Sequence, residues 1–142
     1  MLVETILQTK GVVVHTLPET GTLGEAVATL NAHNIGAVVI TDAGGAVIGI
    51  LSERDIVRQL GRDPATALSR SIGSCMTRGV VTCERTTPIA EIMERMTRRR
   101  IRHMPVVEGT GLVGIVSIGD VVKHKIEEVE HEAEALREYI AS

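Results

Sequence analysis

The chain has 142 residues, 44% hydrophobic but only 1% aromatic, with no Trp, no Phe and a single Tyr, Tyr139. This composition excludes the aromatic stacking platforms that hold single strands and the bases on RNA-recognition sheets, so a bound base must lie against aliphatic side chains. Fifteen basic residues face eighteen acidic ones, and the whole excess falls in residues 123–142, which excludes the basic footprint of a duplex binder.

Eighteen Val and fourteen Ile against ten Leu favour short buried strands. The first β run is Val12–Thr16. An amphipathic helix from Leu23 to about His33 follows, with Leu23, Ala26, Val27 and Leu30 at i, i+3, i+4, i+7. Two apolar runs, Ala37–Ile40 and Val47–Leu51, flank a Gly-containing loop and predict a hairpin. A helix starts near Glu53. The polar stretch Gly61–Gly73, which contains Pro64, reads as a linker. The same series then returns: a β run at Val80–Cys83, a helix from Pro88 with Ile89, Ile92, Met93 and Met96 on one face, runs Met104–Val107 and Leu112–Val116, and a last helix from about Ile118.

The order β-α-β-β-α therefore occurs twice, and the residues repeat with it. Gly49-Ile-Leu-Ser-Glu-Arg-Asp-Ile-Val-Arg58 recurs as Gly114-Ile-Val-Ser-Ile-Gly-Asp-Val-Val-Lys123, 65 positions on. Thr16, Leu23, Glu25 and Ile35 match Thr82, Ile89, Glu91 and Ile101 at an offset of 66, and Thr9-Lys10-Gly11 matches Thr77-Arg78-Gly79 at 68. A copy of roughly 60 residues buries little alone. The expected fold is α+β: two repeats related by a pseudo-twofold axis, sheets packed together and helices outside. Repeat 1 spans residues 1–66 with the start of the linker, repeat 2 spans 67–128, and 129–142 form a helical extension.

That extension has its own pattern. Val122, Ile126, Val129, Ala133, Leu136 and Ile140 step by 4, 3, 4, 3, 4, a heptad seam. It suits either a helix lying on its own module or a contact between chains. Cys75 and Cys83 read as small buried hydrophobes, and His15, His33, His124 and His131 lack metal-ligand spacing, so no metal is expected. No Ser-His-Asp signature, P-loop or G-x-G-x-x-G opens a route to catalysis, and a non-enzyme is expected. No run reaches the ~18–20 apolar residues of a membrane span and the N-terminus lacks a signal-peptide pattern, so the expected location is cytoplasmic, with no membrane partner.

The motif G-h-h-S-x-x-D after the third strand of each copy, with Arg100-Ile-Arg-His-Met-Pro-Val-Val107, resembles the cystathionine-β-synthase (CBS) domain family, as a tandem pair or Bateman module over nearly the whole chain. Pro105 holds its usual place, whereas Asn34-Ile-Gly-Ala-Val-Val39 in the first copy has no proline. The absence of an attached catalytic domain resembles the stand-alone bacterial members. The resemblance implies a regulatory, energy-sensing domain that binds adenine nucleotides (AMP, ADP, ATP or NAD(H)) in clefts between the copies, commonly as a homodimer.

On that footing Ser52, Asp55, Ser117 and Asp120 are ribose candidates, since a carboxylate accepts from both ribose hydroxyls and a hydrogen bond to a charged group contributes roughly 1.5–3 kcal/mol. The same S-x-x-D also matches a capping box, and the serine can serve both roles. Arg98 and Arg99 read as a solvated helix face. Arg102 and His103 match positions that often contact phosphate in the family. Their counterparts Gly36 and Ala37 offer no such groups, so the two clefts should differ in affinity. Backbone near Val14, Thr16, Val80 and Thr82 would read the base edge, with Ala37, Val39, Met104 and Pro105 covering its faces. The alternative function is an interaction adaptor that works through the C-terminal heptad helix, its nucleotide clefts vestigial.

Overall fold

The structure, a computed structural model, describes all 142 residues. It opens with a helix that the sequence pattern does not mark: α1 covers Val3–Lys10, while Val12–Val14, expected to begin the first strand, stay outside any strand. The first strand is only β1, Thr16–Leu17, parallel to β2, Ala37–Thr41. Its counterpart at Val80–Cys83 shrinks to a single parallel bridge between Cys83 and Val106. The valine run suggested more sheet than exists because β-branched residues also suit extended connections that cross between layers.

α2, Leu23–His33, begins where the Thr22 hydroxyl accepts from the Glu25 amide at 3.2 Å, buries Leu23, Ala26 and Leu30, and ends at Asn34 in the left-handed region. β2 pairs antiparallel with β3, Val47–Ser52. The turn between them is closed by Asp42, whose Oδ1 accepts from the amides of Gly44 and Ala46, with Gly45 at φ 84°. α3 covers Glu53–Arg62. The stretch read as a linker is structured: a 3₁₀ turn at Ala67–Ser69 leads into α4, Ile72–Cys75.

The second copy follows with α5, Ile89–Arg99; β4, His103–Glu108; β5, Gly111–Ser117; and α6, Ile118–Ala141. The β4–β5 hairpin shifts register between Val106 and Val107, as β2–β3 does between Ile40 and Thr41. These are equivalent points, so duplication preserved even the bulge.

Burial shows how the copies interlock. Val38 and Ile40 enter one core cluster with Leu23, Ala26, Leu30, Leu51 and Ile56, and Ile72 and Met76, from beyond the first repeat, join them. Val3, Ile6 and Leu7 join the other cluster, with Ile89, Ile92, Met96, Met104 and Val116. Each copy thus receives its leading helix from the opposite side. Backbone bonds fix the exchange: Val3 N donates to Thr87 O and Ile89 N to Met1 O, both at 2.9 Å, while Ile72 N donates to Gly21 O at 2.7 Å. The repeated glycine of the motif makes room for it. A Cβ at Gly114 would stand 2.7 Å from Leu7 Cδ2, and one at Gly49 would collide with Met76 Sδ.

On the opposite face of β2, Ala37 and Val39 are also buried, so the strand is covered on both sides. This is a two-layer solution in which neither copy supplies a core alone. Burial also pushes the Cys83 thiol up to about 12, despite the pull of Arg95, which keeps it protonated and inert.

Candidate functional site

Both S-x-x-D motifs fold as capping boxes. Ser52 Oγ accepts from the Asp55 amide at 3.4 Å while Asp55 Oδ2 accepts from the Ser52 amide at 2.9 Å. Ser117 and Asp120 repeat this at 3.2 and 2.9 Å. Each box satisfies orphan donors at the start of α3 or α6, a contribution of about 0.5–2 kcal/mol. It also fixes each carboxylate at the start of its helix, Asp55 on the lining of a cavity between the copies.

There the copies diverge. Around Asp55 the chain leaves a cavity of about 340 Å³, lined by Ser52, Glu53, Asp55, Arg102 and His103 among others. Asp55 Oδ2 is used by the cap, and Oδ1 is 3.4 Å from the Thr77 hydroxyl that donates to it and 3.7 Å from Arg58. Thr77 is brought there by two backbone bonds with Ile50, at 2.9 and 3.0 Å. Four guanidinium groups, Arg54, Arg58, Arg100 and Arg102, line this cavity against two carboxylates, Glu53 and Asp55. At the equivalent place Asp120 meets a lysine: Lys10 Nζ donates at 2.6 Å to Oδ2, the oxygen that also accepts from the Ser117 amide. Burial pushes the Asp120 carboxyl up, but the hydrogen bonds from Lys10 and from the Ser117 amide, with the ammonium charge, overcome this and hold it below the usual value. The matching Arg78 does not reach Asp55, turning instead to Glu19 and the Gly73 carbonyl.

His103 sits where the copies meet. The absence of a side chain at Gly36 admits it, since a Cβ there would lie 3.2 Å from the ring. Burial, then Lys10, lowers its pKa from the ordinary 6.5; Glu53 and Asp120 pull the other way, and Arg102 adds to the lowering. The folded state therefore favours the neutral ring. As pH falls below the ordinary value the unfolded chain takes up this proton first, so a stability penalty builds until pH passes the lowered value. His103→Asn should flatten that limb of the stability–pH curve, measured by urea unfolding; an unchanged limb would assign it to other groups.

The cavity thus brings together Ser52, Asp55, Arg102 and His103 from the expected residues. Ser117 and Asp120 lie instead with Lys10. Met104 is fully buried in the second core cluster, and Val39 and Ala37 are buried in β2, so none of them lines the cavity. Pro105 is buried too, its carbonyl taken by the Cys83 amide at 3.0 Å. Thr16 lines a separate pocket with Glu19 and Asp42. The Thr82 carbonyl is engaged by Arg95 at 3.1 Å, and Val14 and Val80 are half-buried outside the cavity.

Sequence reasoning missed Arg54, Arg58, Thr77 and Lys10. The recurrence of Thr-Lys-Gly as Thr-Arg-Gly was the visible trace of Lys10 and Thr77, while Arg54 and Arg58 lay unmarked inside the repeated segment Gly49–Arg58. Arg100 was visible only as the first residue of the stretch Arg100–Val107, with no role assigned to it. It adopts φ 54°, the left-handed cap matching Asn34 at φ 51°. Such a conformation costs a residue other than Gly or Asn about 1–2 kcal/mol, a strain of the kind that gathers at sites.

These features define a class: a tandem α+β module with a cavity between two interlocked copies of one unit. The CBS domain profile matches residues 4–62 and 71–127, and the chain belongs to that family. A CBS-domain protein of Agrobacterium tumefaciens, ATU1752, superposes with a TM-score of 0.85 at 46% identity over 88% of this chain and 99% of that one. The mitochondrial CBSX3 protein of Arabidopsis thaliana is 37% identical over 84% of this chain, which spans 60% of that relative's length. The CBS domain pair of protein MJ0100, solved in complex with 5′-methylthioadenosine and S-adenosyl-L-methionine, superposes at a TM-score of 0.81 and 28% identity, covering 90% of this chain and 98% of that one. CBS pairs are in general regulatory rather than catalytic modules. No helix is long and apolar enough to cross a membrane.

Proposed function

We propose that the chain is a non-enzymatic regulatory module that binds an adenine nucleotide in the cavity around Asp55. The observation that carries this is the joint presence there of an acceptor pair, Ser52 and Asp55, with four guanidinium groups. Asp55 Oδ1, flanked by the Thr77 hydroxyl, takes the ribose hydroxyls. Arg102 and His103, with Arg100 and Arg58 at the rim, take the phosphates, since a guanidinium fork matches phosphate oxygens. The adenosyl ligands of the MJ0100 pair support the adenosine half. The surplus of positive charge supports the phosphate half and disfavours S-adenosylmethionine, whose sulfonium is cationic. A volume near the lower end of the ~300–1,000 Å³ range of ligand sites suits a mononucleotide, AMP, ADP or ATP, better than NAD(H).

Thermal shift with AMP, ADP, ATP, NADH and S-adenosylmethionine tests this, because a ligand that prefers the folded state raises its apparent stability. The mononucleotides should raise Tm; a response to S-adenosylmethionine alone would overturn the phosphate assignment. Lys10 already neutralises Asp120, and Gly36 and Ala37 supply no phosphate donor. Calorimetry should therefore return one nucleotide per chain, whereas two equal sites would refute the asymmetry. A phosphate beside His103 stabilises its charged form, so binding should take up a proton and tighten as pH falls from neutral to mildly acidic. Titrations in buffers of different ionisation enthalpy will read that proton directly.

The adaptor reading is separated from this one by removing residues 129–142. A nucleotide sensor keeps its affinity after that truncation.

A further inference from the structure

We propose that residues 122–140 of α6 pair with the same segment of a second copy as a parallel, in-register, two-stranded coiled coil. This inference is independent of the nucleotide reading. Of the 24 residues of α6, only Val121 and His124 are buried. The seam beyond them does not lie on its own module: Ile126, Val129, Leu136 and Ile140 are 51–74% exposed. An apolar stripe of this length calls for a partner.

The residues on the stripe and beside it specify the partner. In heptad terms Ile126, Ala133 and Ile140 take a positions, and Val122, Val129 and Leu136 take d. Ile126 and Ile140 at a and Leu136 at d follow the β-branched-a, leucine-d pattern that favours two parallel strands, while Ala133, Val122 and Val129 leave the choice of orientation to the flanking charges. The flanking e positions are Lys123, Glu130 and Arg137, and the charged g positions are Lys125 and Glu132. In a parallel, in-register pair each g residue meets the e residue of the partner's next heptad. Lys125 then meets Glu130 of the partner subunit, and Glu132 meets Arg137 of the partner subunit. Both contacts are attractive, and symmetry doubles them.

An antiparallel pair with full seam overlap sets Glu130 and Glu132 each opposite its own copy and Lys123 opposite Arg137, all repulsive. Lys125 now pairs with Glu128 on its own helix at 3.3 Å. An exposed pair of that kind contributes little and yields readily.

Sedimentation equilibrium of the full chain tests the inference. The wild type should be dimeric at micromolar concentration. Glu130→Lys with Glu132→Lys makes every flanking contact repulsive and should raise the dimer dissociation constant at least tenfold. Adding Lys125→Glu and Arg137→Glu should restore it, a rescue that a folding defect would not show. For orientation, Ile140→Cys in a Cys75→Ser background should cross-link to itself on mild oxidation, because residue 140 meets its own copy only in the parallel arrangement. A monomeric wild type, a dimer indifferent to the charge reversals, or a dimer that fails to cross-link at 140 would each overturn the proposal.

Discussion

Replacing Asp55 by Asn should weaken nucleotide binding at least tenfold, about 1.4 kcal/mol, while leaving the chain folded. Asn keeps a side-chain oxygen for the Ser52 amide, so the capping box survives, but the charge that would accept from ribose is gone. Ala at the same position would also remove the cap and confuse loss of binding with loss of α3. Asp120→Asn is the control. Its carboxylate is already bound by Lys10 at 2.6 Å, so affinity should stay at the wild-type value. Calorimetry on both variants decides the matter: equal effects would mean that the clefts are equivalent, and no effect of Asp55→Asn would end the ribose assignment.

Arg102→Ala should separate phosphate from nucleoside recognition. A hydrogen bond to a charged group contributes roughly 1.5–3 kcal/mol, so affinity for AMP or ATP should fall about 10- to 150-fold. Affinity for adenosine, which lacks the phosphate, should change little. The nucleotide affinity that remains should also depend less on salt, because one exposed cation has left the cleft. If adenosine and ATP weaken in parallel, Arg102 holds the shape of the β4 entry rather than the phosphate.

Much of the fold was legible. The periodicity of Leu23, Ala26 and Leu30 and of Ile89, Ile92 and Met96 marked α2 and α5 because three-residue and four-residue steps survive any tertiary context. The hairpins were legible because glycine loops are local. The opening helix was not: α1 owes its place to Val3, Ile6 and Leu7 packing under the opposite copy, a contact about eighty residues away in the chain. The valines at 12–14 suggested a strand for the opposite reason, since local preference had no tertiary pairing to support it. In the site, Ser52 and Asp55 were visible as a repeated motif. Arg54 and Arg58 were not, because their value depends on a cavity that only the other copy closes.

The sequence by itself determined the doubling, the aliphatic character of the interior and the heptad seam of the tail. All three are periodic or compositional, and each is read along one segment. Only the tertiary structure decided that the copies exchange their leading helices, that Lys10 pairs with Asp120 while Asp55 borders an arginine-lined cavity, and that the seam faces outward. Duplication wrote nearly the same motif twice, but its second aspartate meets a lysine that arrives from residue 10, through the exchange. Two nearly equal motifs acquire unequal surroundings because electrostatics is set by distance in space, and sequence offset carries no information about it.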